Sequence, residues 1–196
     1  MPRIKADNIA EHIAQQRAAV LDAAVELFIE RGYSEVSLSD IAAKVGLARN
    51  SLYRYVPDKS HLLMEWYRRT IPETIEKWRA ATAGQDPPAL RLQRWTRAYL
   101  AWASSDEHRL VGPLTDALGS LDETTRTEVA TLHRSMMDVV ATVVDDAGVP
   151  AAQRDGVVDL LAGMVLGAAR AERGTGPDKD LRRRLDAAVA AILSMP

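Results

Sequence analysis

Apolar residues recur every three to four positions through most of this 196-residue chain and hardly anywhere in alternation, so the pattern predicts helices and no sheet. Val20, Ala24, Leu27 and Phe28 share one face of a first helix; Arg17, Asp22, Glu26 and Glu30 share the other. Gly32 ends that helix, since glycine takes the left-handed conformation of a helix terminus, and Tyr33 can fold back on the last turn. Ser37 with Asp40 three residues on forms a capping box that opens a short helix over about 37–45. Gly46 and Leu47 make a tight turn, a third short helix covers about 49–55, and Pro57 stops it. Asp58 can cap a long fourth helix over about 59–81, which carries Leu62, Leu63, Trp66, Ile71, Ile75 and Trp78 and which Pro72 should bend.

A loop rich in proline and glycine fills 82–88, and five further helices are expected at about 89–103, 106–118, 123–147, 151–173 and 179–194. Their breaks have chemical causes: a second capping box at Ser104 and Glu107, a loop over 119–122, a stop at Gly148 followed by Pro150, and a hinge over 174–177. The fold class is therefore all-α, with about nine helices.

Composition narrows the function classes. With 47% hydrophobic and 27% charged residues the chain has the balance of a globular protein. The absence of cysteine excludes a disulfide framework, a thiolate metal site and a cysteine nucleophile. The apolar run from Leu160 to Ala169 is bounded by Asp159 and Arg170, short of the roughly 20 residues that cross a bilayer, so no membrane partner is expected. Arg3, Lys5 and Asp7 precede no apolar signal core, which makes the cytoplasm the expected location. A net charge of −2 excludes a surface coated in positive charge, so any contact with nucleic acid must be local.

One segment supplies such a locality. Two short helices joined by a tight turn need a small residue on the inner face, a turn residue tolerant of positive φ, and apolar side chains in the corner. Ala42, Gly46 and the trio Ile41, Leu52 and Tyr55 occupy those places, with Leu47 in the turn, which is the spacing of a helix-turn-helix. Between Lys44 and Lys59 the basic residues are Lys44, Arg49, Arg54 and Lys59 against the single acid Asp58. Lys59 stands in the first turn of a helix, where the dipole opposes a cation unless an anion such as phosphate comes near.

The run from Ala23 to Tyr33, then Ser37 to Ala42, Gly46-Leu47, Ser51 to Tyr55, and Asp58-Lys59 with Leu62 resembles the N-terminal domain of TetR-family repressors. The resemblance covers about 17–63; the remainder matches in length and helical character but not in motif. It implies a three-helix DNA-binding domain over 1–57 and a helical ligand-binding and dimerisation domain over 58–196, with 58–81 as the connecting helix. It further implies a homodimeric, ligand-responsive repressor of a roughly palindromic double-stranded operator. Carried onto this sequence, Arg49, Asn50 and Ser51 would read bases, Ser37, Ser39, Tyr53, Tyr55 and Lys59 would hold phosphates, and Arg54 could do either. Three positions depart from the family pattern. Ala48 removes a common side-chain cap from the reading helix, Asn50 replaces a small residue with an amide able to pair with adenine, and Val56 replaces a frequent phenylalanine.

Beyond the motif, Trp95, Tyr99 and Trp102 form a stripe at i, i+4 and i+7. With Trp66, Met136 and Met137 it reads equally as core or as the wall of an adaptable cavity for a small apolar or aromatic effector. Val157, Leu160, Leu161, Met164, Val165 and Ala168 make the eighth helix too apolar for a surface helix, and Gly163 and Gly167 permit close backbone approach. With Val189 and Ile192 of the ninth, Leu160, Gly163, Met164 and Gly167 are the expected dimer contacts.

No glycine-rich phosphate loop, paired metal-ligand histidines or nucleophile elbow appears, so neither catalytic residues nor a metal or cofactor is expected. Glu107 beside His108 reads as a helix start. The competing reading is a helical adaptor that binds protein through the eighth helix and ignores DNA.

Overall fold

The computed structural model describes residues 2–194, with side chains from Ile9 onward, so Arg3, Lys5 and Asp7 lie outside the described side chains. The described residues form nine α-helices and no strand. These are α1 (Pro2–Arg31), α2 (Leu38–Lys44), α3 (Arg49–Leu52), α4 (Lys59–Thr82), α5 (Pro88–Ala103), α6 (Val111–Ala117), α7 (Glu123–Asp146), α8 (Ala151–Thr175) and α9 (Lys179–Leu193). None is long and apolar enough, among the described residues, to cross a membrane.

The chain forms two compact units, and α4 contributes to both: one holds the residues up to Arg69 with Arg109–Thr127, the other Thr70–His108 with the residues from Glu128 onward.

In the first unit α1 packs on α2 and α2 on α3. The apolar face read from the sequence is the buried one: Val20, Ala24, Leu27 and Phe28 are at most 3% exposed. Ile41, Ala42 and Leu52 are likewise closed from solvent, as are Leu62, Leu63, Trp66 and Tyr67 of α4. Burial pushes the Tyr67 hydroxyl up to about 12, so it stays protonated at neutral pH.

In the second unit α5 packs against α8 and α9, which also pack on each other. Trp78, Trp95, Tyr99 and Trp102 cluster in edge-on and tilted contacts, with centroids 4.7 Å apart for Trp78 and Tyr99 and 5.6 Å for Trp78 and Trp95. Glu172, 5% exposed, receives two hydrogen bonds of 2.7 Å from the Arg182 guanidinium and one of 3.0 Å from the Asp178 N–H. Arg182, itself exposed, thereby ties α9 to the end of α8.

Two local expectations are corrected. The capping box at Ser104 and Glu107 does not form; Ser105 Oγ accepts from the His108 N–H, and Glu107–Leu110 is a 3-10 turn before α6. The third helix is also shorter than 49–55. It closes after Leu52, whose carbonyl accepts from Tyr55 at 2.8 Å and Val56 at 3.1 Å. That single α-turn leaves Tyr53 and Arg54 on a turn.

Candidate nucleic-acid interface

The interface is built outward from two glycines. Gly32 (φ +89°) and Gly46 (φ +70°) take the left-handed conformation that ends α1 and α2. The Gly32 N–H closes on the Phe28 carbonyl at 3.0 Å, and Tyr33 turns back edge-on to Phe28 at 5.0 Å. The Leu47 N–H reaches back to the Ala42 carbonyl at 2.8 Å, which fixes the entry to α3.

Ser37 and Asp40 form the capping box in both directions. The Asp40 N–H donates to Ser37 Oγ at 3.2 Å, and Asp40 Oδ2 accepts from the Ser37 N–H at 2.8 Å and its hydroxyl at 2.5 Å. Those bonds hold the Asp40 carboxyl below its ordinary value, with Ser37 the main cause. Ser37 is thus exposed but already engaged, while Ser39 is exposed on the first turn of α2.

On α3 the candidate base readers face outward: Arg49 and Asn50 are exposed and Ser51 half-buried, while Leu52 one residue on is fully buried and anchors the turn. The N-cap Ala48 makes no side-chain bond, so the first amides of α3 carry no side-chain cap. Arg49 reaches the Tyr53 hydroxyl at 3.5 Å and Arg54 reaches Ser51 Oγ at 3.5 Å, both at the long limit of a hydrogen bond, so both guanidinium groups are lightly held. Tyr53 is 46% exposed beside Arg49. Tyr55 is half-buried and faces elsewhere, lining a recess of about 210 Å³ with Arg17, Leu21, Val56, Leu62 and Glu65.

The other basic residues of the segment have partners within the chain. Lys44 is paired with Glu26 at 2.6 Å on the α1 side. Lys59 Nζ donates to the Tyr33 carbonyl at 2.7 Å and the Val36 carbonyl at 2.6 Å, and lies 4.4 Å from the centre of the Tyr33 ring. Lys59, expected to await a phosphate, already has partners in the chain: two carbonyl oxygens and a ring face offset the unfavourable helix dipole. Burial pushes this ammonium below the usual lysine value, opposed in part by Glu35. Asp58 caps α4 as expected, with Oδ1 accepting from the His61 N–H at 3.0 Å. The two carbonyls were missed from sequence because the only signal, a glycine 27 positions before the lysine, does not tell which way the loop after it turns.

The effector candidates divide between the units. Trp66 lies in the first; Trp95, Tyr99, Trp102, Met136 and Met137 lie in the second. Trp95, Tyr99 and Met136 are at most 4% exposed, with Trp102 and Met137 half-buried. The buried Nε1 atoms of Trp66, Trp95 and Trp102 find no protein acceptor. Beside the stack stands His108, its ring 4.5 Å from Trp102; burial, then Arg173, pushes its pKa below the ordinary histidine value.

Of the dimer candidates, Leu160 is 52% exposed, Gly163 and Gly167 are exposed, with open space where a side chain would stand, and Met164 and Ile192 are half-buried. Val189 is corrected. It is fully buried within the single chain, because the α9 face that carries Leu185 and Val189 is the one turned inward.

Residues 20–65 match the profile of the bacterial regulatory proteins, tetR family. The chain is 25% identical over 158 residues to the HTH-type transcriptional repressor DhaR of Mycobacterium sp. strain GP1, a match covering 76% of each. It is 35% identical over 74 residues to the HTH-type transcriptional repressor KstR of Mycolicibacterium smegmatis, covering 37% of this chain and 36% of KstR. Among solved structures, AibR in complex with isovaleryl coenzyme A and operator DNA aligns with a TM-score of 0.69 at 20% identity, covering 89% of this chain and 96% of AibR. At that identity the likeness speaks for the fold alone.

Proposed function

We propose that this chain, whose residues 20–65 match the tetR-family profile, is a TetR-type regulator: a homodimeric, ligand-responsive repressor of a palindromic operator. One observation carries the reading: Arg49 and Asn50 project into solvent from a single helical turn whose Leu52 is fully buried and whose entry is fixed by Gly46. A guanidinium and a carboxamide on a rigid corner are the groups that pair in bidentate fashion with guanine and adenine in the major groove. Ser37, Ser39, Tyr53 and Arg54 flank them as phosphate contacts, and Ser51 joins the reading row.

A palindromic site needs a two-fold protein. The exposed stripe of Leu160, Gly163 and Gly167 along α8, with Met164 and Ile192 at its margin, supports a dimer seam. Effector binding is assigned to the second unit, where the aromatic stack offers apolar walls. The unpartnered indole N–H groups of Trp95 and Trp102 favour a ligand that brings a hydrogen-bond acceptor. AibR is a protein of this fold crystallised with an acyl coenzyme A and its operator. In the proposed mechanism the effector favours a dimer whose two heads no longer match sites roughly 34–36 Å apart, so ligand and operator oppose each other.

The experiment is selection of bound fragments from random DNA, followed by titration of the selected duplex at two salt concentrations. A repressor enriches a palindrome and loses affinity steeply with salt. A protein that enriches no sequence and ignores salt is the helical adaptor instead, and the repressor reading then fails.

A further inference from the structure

Lys59 is the place where sequence and structure part most sharply, and its geometry has a consequence for how the head is held. The carbonyls it binds belong to Tyr33 and Val36, both within the 32–37 link between α1 and α2. That link has no helix of its own, and it delivers Ser37, the cap of α2. Lys59 is the first residue of α4. Three helices of the head are thereby tied at one ammonium: α1 through the residue after Gly32, α2 through the residue before its cap, and α4 through the lysine itself.

We propose that Lys59 is a positioning residue, a latch that couples the first turn of α4 to the start of α2, rather than a phosphate contact. The proposal rests on the reading of this head as DNA-binding and deepens it by naming how a shift of α4 reaches the helices on DNA. An ammonium suits the task because it is compact and offers three N–H donors, two of which are used at 2.7 and 2.6 Å while the Tyr33 ring at 4.4 Å covers another side. A guanidinium would keep the charge, but its planar fork does not fit two carbonyls that converge on one point beneath a ring. The carbonyl ends point at Lys59 from residues 26 and 23 positions earlier, so any displacement of the start of α4 either carries 33–36 with it or breaks charge-assisted bonds.

The test uses the full chain, its selected operator duplex and the variants Lys59→Gln, Lys59→Arg and, for comparison, Arg54→Gln. Affinity is measured across a series of potassium chloride concentrations, and backbone amide exchange is followed over 33–37 and 59–63. The latch predicts that Lys59→Gln and Lys59→Arg both weaken binding about tenfold at every salt concentration, in line with the removal of bonds to a charged group, and leave the salt slope unchanged. It also predicts faster exchange over 33–37 in both variants without DNA. Arg54→Gln should instead flatten the slope by about 0.9 per phosphate released. The latch is overturned if Lys59→Arg binds as tightly as the parent protein while Lys59→Gln flattens the slope, or if exchange over 33–37 is unchanged in both. Should the parent protein bind no DNA, it is the reading of the head that fails; the exchange measurement still decides the latch.

Discussion

The two compact units differ in where their aromatic rings gather and in how many buried polar groups stay unpaired. In the first, polar side chains around the helix-turn-helix find partners within the unit, close in sequence for Ser37 with Asp40 and Asp58 with His61, across helices for Lys44 with Glu26 and Lys59 with two carbonyls. The buried Trp66 indole N–H has none. What remains lightly held, Arg49, Asn50 and Arg54, lies on the surface. In the second, the large aromatic rings are buried, and two indole donors and the Thr96 hydroxyl end without protein acceptors. Under the proposed function, the first unit would meet a large partner with a prearranged polar surface, and the second would meet a small one with apolar rings and unpaired donors. Substitutions should therefore separate by readout: changes to the outer face of the head alter binding and spare folding, and changes to the second unit alter folding first.

The largest effect is expected from Trp95→Ala, which removes a fully buried ring from the stack and should cost about 3–5 kcal/mol in thermal unfolding. A cost below about 1 kcal/mol would mean that the stack is already a loose cavity wall, a sharper form of the same contrast.

Next comes Arg182→Ala, which strands the Glu172 carboxylate at 5% exposure. Removing one partner of a fully buried pair costs about 3–5 kcal/mol; with Arg182 half exposed, about 2 kcal/mol is expected. Because Arg182 holds the Glu172 carboxyl below its ordinary value, this stabilisation is present above the unfolded-state value and is lost as pH falls through the lower folded one. The parent and the variant should therefore converge in stability as acid is added.

Arg49→Ala with Asn50→Ala should cost about 1–3 kcal/mol of operator discrimination for each bidentate base pairing that the variant can no longer make. Thermal unfolding should move by less than about 0.5 kcal/mol, as for exposed positions generally. A large drop in stability would show that these side chains support the corner rather than extend from it.

The smallest effect belongs to His108. Its pKa is depressed by burial and by Arg173, so the folded protein keeps the ring neutral where the unfolded chain would protonate it. Its contribution is present above the unfolded value and is lost as pH falls from about 6.5 through the lower folded value. His108→Gln should remove that part of the acid-side decline, read as a flatter profile of unfolding midpoint against pH.

Much of the first unit follows from the sequence alone, because its signals are local. A glycine that must take positive φ, a serine and an aspartate three apart, and a proline after a short helix each act within one or two helical turns. The nine helices, the exposure of Arg49 and Asn50, the missing cap at Ala48 and the return of Tyr33 onto Phe28 all answer to such rules. What needed the tertiary structure involves residues far apart in the chain or the orientation of a whole helix. The partners of Lys59 lie 26 and 23 positions before it, and Glu172 meets Arg182 across the turn between two helices. Val189 is inside and Leu160 outside because each helix has one rotation about its axis, set by what it packs against. Periodicity says that a helix has an apolar face; only the packed chain says which residues of a broadly apolar helix are left over for a second molecule.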